Sequence, residues 1–253
     1  MPDQLVQYSA ERAVARIALD SPRNRNALSA ALVGQLTAAL QAAAADDSVR
    51  AVELTHTGST FCAGADLSEA SQGGMRAGTE RVITLLKLIV SLPKPVVGSI
   101  DGHVRAGGLG LVGACDIVLA GPGSTFAFTE VRLGLAAAMI SLTTLPRMQP
   151  RAASRYFLTG ESFDAATAAS IGLVTEAVDD IDASTRAVLA ALRAASPQGL
   201  RATKPLLTSA MLDSFDARAA ELAELSARLF DSAEAAEGMA AFLAKRPPSW
   251  ASG

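Results

Sequence analysis

Residues suited to chemistry stand in three short segments of the chain. Two are glycine-rich turns, FCAGADL at residues 61–67 and GHVRAGGLG at residues 102–110. Small residues let a ligand come close to main-chain N–H groups, and unpaired N–H groups at a helix start favour negative charge. The third segment contains Glu130 among apolar neighbours, where loss of water contact should raise the pKa of a carboxyl and suit it to proton transfer. These residues predict a site that binds negative charge and moves a proton.

Each segment also has a purely structural interpretation. Glycine-rich turns between strands and helices often serve packing alone. Glu130 is equally compatible with a buried carboxylate that pairs with Arg132 or caps a turn. The motif GLGLVG at residues 108–113 matches the GxGxxG fingerprint of dinucleotide-binding proteins. Only about two helical turns fit between that motif and the strand expected from Asp116, so a nicotinamide site is not predicted.

The elements that position these segments follow from the hydrophobic pattern. Short runs rich in β-branched residues predict strands at 12–20, 51–55, 95–101 and 116–120. Between the first two, residues 29–46 predict a helix with Ser29 as its N-cap and leucines every four residues. Strands separated by helices indicate a largely parallel sheet and therefore an α/β fold. Beyond Met139 the pattern is mostly helical, with one short strand expected at 173–178.

Composition excludes several classes of protein. Of the 253 residues, 50% are hydrophobic and 19% are charged, which is ordinary for a globular chain and excludes a disordered one. The formal net charge of -3 argues against a dedicated nucleic-acid or anionic-membrane binder. Two cysteines and two histidines without metal-ligand spacing predict neither a disulfide scaffold nor a structural zinc site. With no secretion signal and no apolar run of ~18 residues in the sequence, we expect a soluble, cytoplasmic protein.

Taken together, the three segments resemble the crotonase superfamily of enoyl-CoA hydratases and isomerases. The similarity extends over nearly the whole chain in ordered blocks, at residues 21–28, 61–67, 102–116, 126–135, 158–161, 168–174 and 238–246. The fourth block, with Ala138 and Ile140 after it, is similar to the branch of methylglutaconyl-CoA-type hydratases. The resemblance implies an α/β fold with a crotonase-like ββα spiral core over residues 1–195. It also implies a helical C-terminal part for oligomerisation over residues 196–253.

The same resemblance implies a site for an acyl-CoA substrate. The N–H groups of Ala63 and Gly107 would form an oxyanion hole for the thioester oxygen, and Glu130 would be the acid–base residue. The residues that would contact the substrate and its coenzyme A are Arg25, Ala27, Leu28, Ala65, Asp66, Leu67, Gly108, Phe242 and Lys245. The last two would complete the pocket of a neighbouring subunit, since a homotrimer or a dimer of trimers is expected by analogy. Coenzyme A is part of the substrate, so neither a separate cofactor nor a metal is expected.

One family feature is absent from this sequence. Gly110 stands where the hydratases of the family have an earlier catalytic glutamate, and the later one matches Glu130. We predict addition of water across the α,β double bond of an enoyl-CoA, with an enolate held in the oxyanion hole. The alternatives are a Δ3,Δ2-enoyl-CoA isomerase, other acyl-CoA enolate chemistry such as hydrolysis or decarboxylation, and a catalytically silent acyl-CoA-binding protein.

Overall fold

Two β-sheets organise the chain in this computed structural model, which describes residues 3–66, 69 and 75–251. In chain order the strands are β1 (Val6–Glu11), β2 (Val14–Leu19), β3 (Ala51–His56), β4 (Thr60–Cys62), β5 (Val96–Ile100), β6 (His103–Arg105), β7 (Ile117–Ala120), β8 (Thr125–Ala127), β9 (Phe163–Asp164) and β10 (Glu176–Ala177). The larger sheet has the order β1-β2-β3-β5-β7-β10 and the smaller one the order β4-β6-β8-β9. Pairing is parallel except between β1 and β2 and between β8 and β9.

Helices connect the strands and dominate the second half of the chain. The α-helices in the described residues are α1 (Ala30–Ala45), α2 (Met75–Ser91), α3 (Gly107–Ala114), α4 (Ala138–Thr144), α5 (Pro150–Thr159), α6 (Ala165–Ser170), α7 (Ile181–Ala194), α8 (Pro197–Phe230) and α9 (Ala233–Leu243). Three 3₁₀ turns accompany them, at Pro22–Asn24, Thr129–Leu133 and Ser249–Ala251. The short α3 and the middle 3₁₀ turn follow strands of the smaller sheet directly, so that sheet positions both.

The sequence pattern predicts most of the larger sheet correctly. β2, β3, β5 and β7 confirm the four expected strands, and their parallel pairing confirms the α/β prediction. The predicted first helix is confirmed as α1, where the Leu32 N–H donates to the Ser29 hydroxyl at 3.2 Å. The strand expected at 173–178 is reduced to β10.

The sequence pattern does not predict the smaller sheet or β1, and the reasons are physical. Strands β4, β6, β8 and β9 have three residues or fewer, too short for an alternating pattern to show. In β1 only Val6 is buried, so that strand has no apolar face for the sequence to display. The smaller sheet and β1 both form by pairing with other segments of the chain, and not because their own residues strongly prefer strands.

One hydrophobic core joins the sheets to the C-terminal helices. Leu32, Leu36 and Leu40 of α1 are fully buried in it, and Met211 and Phe215 of α8 belong to the same cluster. The face of α8 that reaches this core packs against α2 and α4. The division at residue 195 stays a prediction, although α8 begins with Pro197 and its N-cap Ser196.

A buried lysine ties α8 to residues that precede the amino ends of β5 and β7 in the larger sheet. Lys204 is 4% exposed, and its Nζ lies 2.8 Å from Oδ2 of Asp116. The same ammonium donates to the carbonyl oxygens of Ile89 at 2.9 Å and Lys94 at 3.1 Å. Burial lowers the pKa of Lys204, and Asp116 opposes that shift. The Lys204 ammonium can remain buried because all three of its N–H donors are hydrogen-bonded. The Asp116 carboxylate in turn depends on this ammonium for its counter-charge.

We expect Lys204→Met to lower the free energy of unfolding by about 3–5 kcal/mol, because it leaves the Asp116 carboxylate without its buried counter-charge. Lys87→Met is the matched control, since Lys87 pairs with Asp216 at an exposed position and should cost less than about 1 kcal/mol. Urea unfolding of both variants at one protein concentration measures the difference. Equal losses for the two variants would contradict the assignment of Lys204 as a buried structural charge.

Candidate active site

The two glycine-rich turns lie in direct contact. Gly64 has φ +92°, and a methyl group built on it would lie 2.8 Å from Cβ of Ala106 and 3.3 Å from the nitrogen of Gly107. Such distances leave no space for a side chain, so glycine is required at position 64 for both conformation and packing. The first turn is also held to the segment before α1, because the Leu28 N–H donates to the Gly64 carbonyl at 2.8 Å.

The N–H donors of these turns differ from the sequence prediction. The Ala63 N–H donates to the carbonyl oxygen of Arg25 at 3.0 Å. The prediction of Ala63 as an oxyanion donor is therefore wrong, because that N–H already has a main-chain acceptor. Among the residues described, no acceptor is found for the N–H of Ala65 or of Gly107. A methyl group on Gly107 would lie 3.8 Å from the Ala65 nitrogen, so these two donors are neighbours.

Ala106, immediately before Gly107, has an unfavourable main-chain conformation. Its φ of 45° and ψ of −121° belong to a region that residues with a Cβ rarely adopt. The Ala106 N–H donates to the Ala127 carbonyl at 3.2 Å, and its own carbonyl accepts from Leu109 at 2.9 Å. These bonds hold the strained turn between β6 and the first turn of α3. The strain fixes the orientation of the peptide that carries the Gly107 N–H.

Glu130 lies in the 3₁₀ turn after β8, three positions beyond Ala127. The side chain is largely buried, and its Oε2 has no hydrogen-bond partner among the described residues. Burial raises the pKa of Glu130 to about 7, and a bond to its own main chain offsets this only in part. The alternative of an ion pair with Arg132 is not confirmed, since the Arg132 Nε donates to the Thr159 carbonyl at 3.1 Å. A carboxyl in this state can take up or release a proton near neutral pH.

The position expected for a second carboxylate is filled by apolar side chains. A methyl group on Gly110 would lie 2.7 Å from Cγ2 of Ile140 and 3.1 Å from Cδ1 of Leu86. Gly110 also accepts a hydrogen bond from the Thr143 hydroxyl at 2.9 Å, which joins α3 to α4. The local packing therefore leaves no room for a larger residue at position 110 without movement of these neighbours.

Helix α9 packs directly on the turn that carries Glu130. A methyl group on Gly238 would lie 2.6 Å from the main chain of Leu133, and one on Gly134 would lie 2.7 Å from that of Glu234. This close approach fixes the middle of α9 against the turn that carries Glu130. Phe242 is 55% exposed, and the Lys245 side chain is exposed just beyond it.

Most other residues expected to bind coenzyme A gather around the first turn. Ala27 and Leu28 are buried, and Leu28 forms a parallel bridge with Ala65. Arg25 is exposed at its side chain, and Oδ2 of Asp66 accepts from the Asn24 amide at 2.7 Å.

The remaining expected positions have different outcomes. Gly108 is buried, and a methyl group there would lie only 2.8 Å from Cβ of Cys62. Burial raises the pKa of Cys62 and of Cys115 to about 12, so neither thiol is a ready nucleophile. Leu67 lies outside the described residues.

Within the described part of the chain, no group of three metal-ligating side chains is found. No helix there is long and apolar enough to span a membrane.

Comparison with known proteins agrees with this geometry. The sequence model of the family described as Enoyl-CoA hydratase/isomerase matches residues 9–253. The chain belongs to the enoyl-CoA hydratase/isomerase family. The match spans both turns, Glu130 and the C-terminal helices, so the expected crotonase membership is confirmed.

Individual relatives match this chain over nearly its full length. A crystal structure of an enoyl-CoA hydratase from Mycobacterium avium is 54% identical, with a TM-score of 0.93 over 98% of this chain and 99% of that one. A Rhodobacter capsulatus protein named "Probable enoyl-CoA hydratase" is 35% identical over 96% of each chain. The 2,3-dehydroadipyl-CoA hydratase of Escherichia coli is 31% identical, also over 96% of each. The crotonase-like fold is thus confirmed.

The sequence predicts a donor at Ala63 and a coenzyme contact at Ala65, because nothing in the pattern FCAGADL indicates that the Ala63 N–H is already bonded to Arg25. The sequence does not predict the strain at Ala106. A small residue at a strand-to-helix turn was a signal for close approach, but not for a positive φ.

We expect Ala106→Gly to raise the free energy of unfolding by about 1 kcal/mol, because glycine adopts this conformation without the Cβ strain. The gain is reduced by the larger entropy of glycine in the unfolded chain. Ala106→Val is the contrasting variant and should lose stability, since a β-branched residue is least compatible with this φ. Urea titration followed by circular dichroism measures both. A loss of stability in the glycine variant would contradict strain at Ala106.

We expect Glu130→Gln to stabilise the protein at pH 8 more than at pH 4.5. The folded state holds the Glu130 proton up to about pH 7, whereas the unfolded chain releases it near 4.5. Stability of the unsubstituted protein therefore falls as pH rises through this window, and glutamine removes that loss. The gain should be of the order of 3 kcal/mol above pH 7. Glu161→Gln is the control of opposite sign, because Arg155 lowers the pKa of Glu161.

Proposed function

We propose that this family member is an enoyl-CoA hydratase. The observation that carries the proposal is a pair of adjacent N–H donors, Ala65 and Gly107, combined with one desolvated carboxyl at Glu130. Two donors suit the oxygen of a thioester that becomes an enolate, and one acid–base group suits transfer of a proton from water. The names of the hydratases to which the chain is similar support the same reaction.

The oxyanion hole in this proposal uses Ala65 rather than Ala63. The thioester carbonyl oxygen accepts hydrogen bonds from the N–H groups of Ala65 and Gly107, which polarises the conjugated double bond. Loss of one donor of this kind typically costs about 10²–10³ in rate. The donors are fixed before substrate binds, since contact at Gly64 and strain at Ala106 set their positions.

Glu130 then performs both proton transfers. It takes a proton from water while the water oxygen bonds to Cβ, and the π electrons move through Cα to the thioester oxygen. The enolate collapses as Cα takes a proton from the Glu130 carboxyl, which returns to its ionised form. One water molecule is added in total. A pKa near 7 keeps the carboxyl competent as both base and acid.

Coenzyme A binding and assembly remain parts of the proposal. We place the coenzyme along Arg25, Ala27, Leu28 and Asp66, and we treat it as substrate rather than as a resident cofactor. Exposed apolar side chains on the C-terminal part support a trimeric or hexameric assembly in which Phe242 and Lys245 reach a neighbouring site. Those exposed side chains are Leu206, Leu207, Phe242, Leu243 and Trp250.

The second candidate function is a Δ3,Δ2-enoyl-CoA isomerase. The observation in its favour is the apolar packing at Gly110, which excludes a second carboxylate that would hold water. An isomerase needs only one group to move a proton between carbons, and Glu130 meets that need.

Incubation with a conjugated enoyl-CoA in ¹⁸O-labelled water separates these functions. We expect label at C3 of a 3-hydroxyacyl-CoA product, and a shifted double bond without label would support the isomerase.

Glu130→Gln should lower the turnover rate by at least about 10²-fold, while acyl-CoA still binds. The kcat/KM of the unsubstituted enzyme should increase with pH up to about 7, because the base must be ionised. Unchanged turnover in Glu130→Gln would refute the proposed mechanism.

A further inference from the structure

A small cavity begins at the proposed oxyanion hole. It has a volume of about 60 Å³ and is lined in part by Ala65. Apolar side chains from three helices form much of its wall, including Val33 of α1, Val82 of α2 and Met139 of α4. A thioester whose oxygen reaches the Ala65 N–H therefore lies next to this cavity, whose lining also includes Leu28 of the proposed coenzyme site. The small volume suits a short acyl chain.

One polar side chain in the cavity wall has no hydrogen-bond partner among the described residues. Thr79 is 1% exposed, lines the cavity, and has a buried Oγ1 without a hydrogen bond to any described residue. Threonines in helices commonly donate to the carbonyl oxygen four residues earlier, as Thr84 of the same helix does to Glu80 at 2.8 Å. Thr79 lacks such a bond. A buried hydroxyl without a partner is unfavourable, so a ligand atom that accepts or donates there would relieve it.

Charged groups at the cavity argue for an uncharged ligand group. Two carboxylates, Asp66 and Glu69, and one guanidinium, Arg81, also line it. Asp66 accepts from the Asn24 amide, and Glu69 accepts from the Ala30 N–H at 3.0 Å. Both signs of charge are present at the cavity, so an acyl end of either sign meets at least one group of like charge. A neutral oxygen meets neither penalty.

We propose that Thr79 determines acyl specificity by hydrogen bonding to a neutral oxygen atom of the acyl group. The substrate class is then a short enoyl-CoA whose acyl chain carries a hydroxyl or carbonyl group, in preference to a plain hydrocarbon chain. This inference rests on the proposed function, since it places the thioester in the oxyanion hole. Thr79 acts on substrate choice and takes no part in the proton transfers assigned to Glu130.

The test compares two substrates and two variants. The substrates are hex-2-enoyl-CoA and 6-hydroxyhex-2-enoyl-CoA, which differ only by one oxygen atom. We expect the unsubstituted enzyme to prefer the hydroxylated substrate in kcat/KM, and Thr79→Val to reduce that preference by about tenfold. Thr79→Ser keeps the hydroxyl and should keep the preference. Thr79→Val should unfold at the same temperature as the unsubstituted protein or higher, because the lost hydroxyl made no bond to any residue that the structure describes.

Two kinetic results would overturn the proposal. Equal loss of kcat/KM on both substrates would mean that Thr79 serves the shared coenzyme or the fold. An unchanged preference in Thr79→Val would mean that the hydroxyl makes no contact with the acyl group. If no enoyl-CoA is turned over, the proposed function fails on its own. The specificity is then read from calorimetric binding of hexanoyl-CoA and 6-hydroxyhexanoyl-CoA, where loss of the same tenfold preference supports Thr79 and its persistence refutes it.

Discussion

Contact between the two glycine-rich turns is the constraint on which the candidate site depends. The N–H groups of Ala65 and Gly107 come from segments far apart in sequence, and they become neighbours only because Gly64 has no side chain. A Cβ at that position would push against Ala106 and separate the donors. An oxyanion hole loses most of its effect when its donors must move during the reaction, since preorganisation is the source of the stabilisation. Both the packing of the two turns and the proposed chemistry therefore require glycine at position 64.

Three residues of the site have unfavourable features. Ala106 is strained, Glu130 is desolvated, and Thr79 has a buried hydroxyl with no partner in the described part of the chain. Each lowers the stability of the free protein, and each can be relieved or used when a polar ligand enters. Buried lysines elsewhere show the contrast, because Lys94 and Lys204 have their hydrogen bonds satisfied within the chain. Native structures tolerate strain mainly where function requires it.

How much can be predicted from the sequence depends on how far apart in the chain the interacting residues lie. The leucine repeat of α1 and the strands of the larger sheet are local patterns, and they were predicted. The desolvation of Glu130 was also predictable, because its apolar neighbours are adjacent in sequence. The bond from Ala63 to Arg25 and the contact of Gly64 with Ala106 are not local. No residue type indicates these contacts, and the sequence therefore predicts a donor at Ala63, whose N–H is already bonded.

The absence of a carboxylate at Gly110 and the raised pKa of Glu130 are both compatible with the proposed mechanism. A hydratase with two acids can keep one as base and one as acid, whereas a single carboxyl must accept a proton and then return it within one turnover. A carboxyl with an ordinary pKa would be a weaker base toward water, because its conjugate acid releases the proton more readily. A pKa of about 7 balances the two tasks. Ile140 and Leu86, by filling the space beside Gly110, exclude a second charge that would disturb that balance.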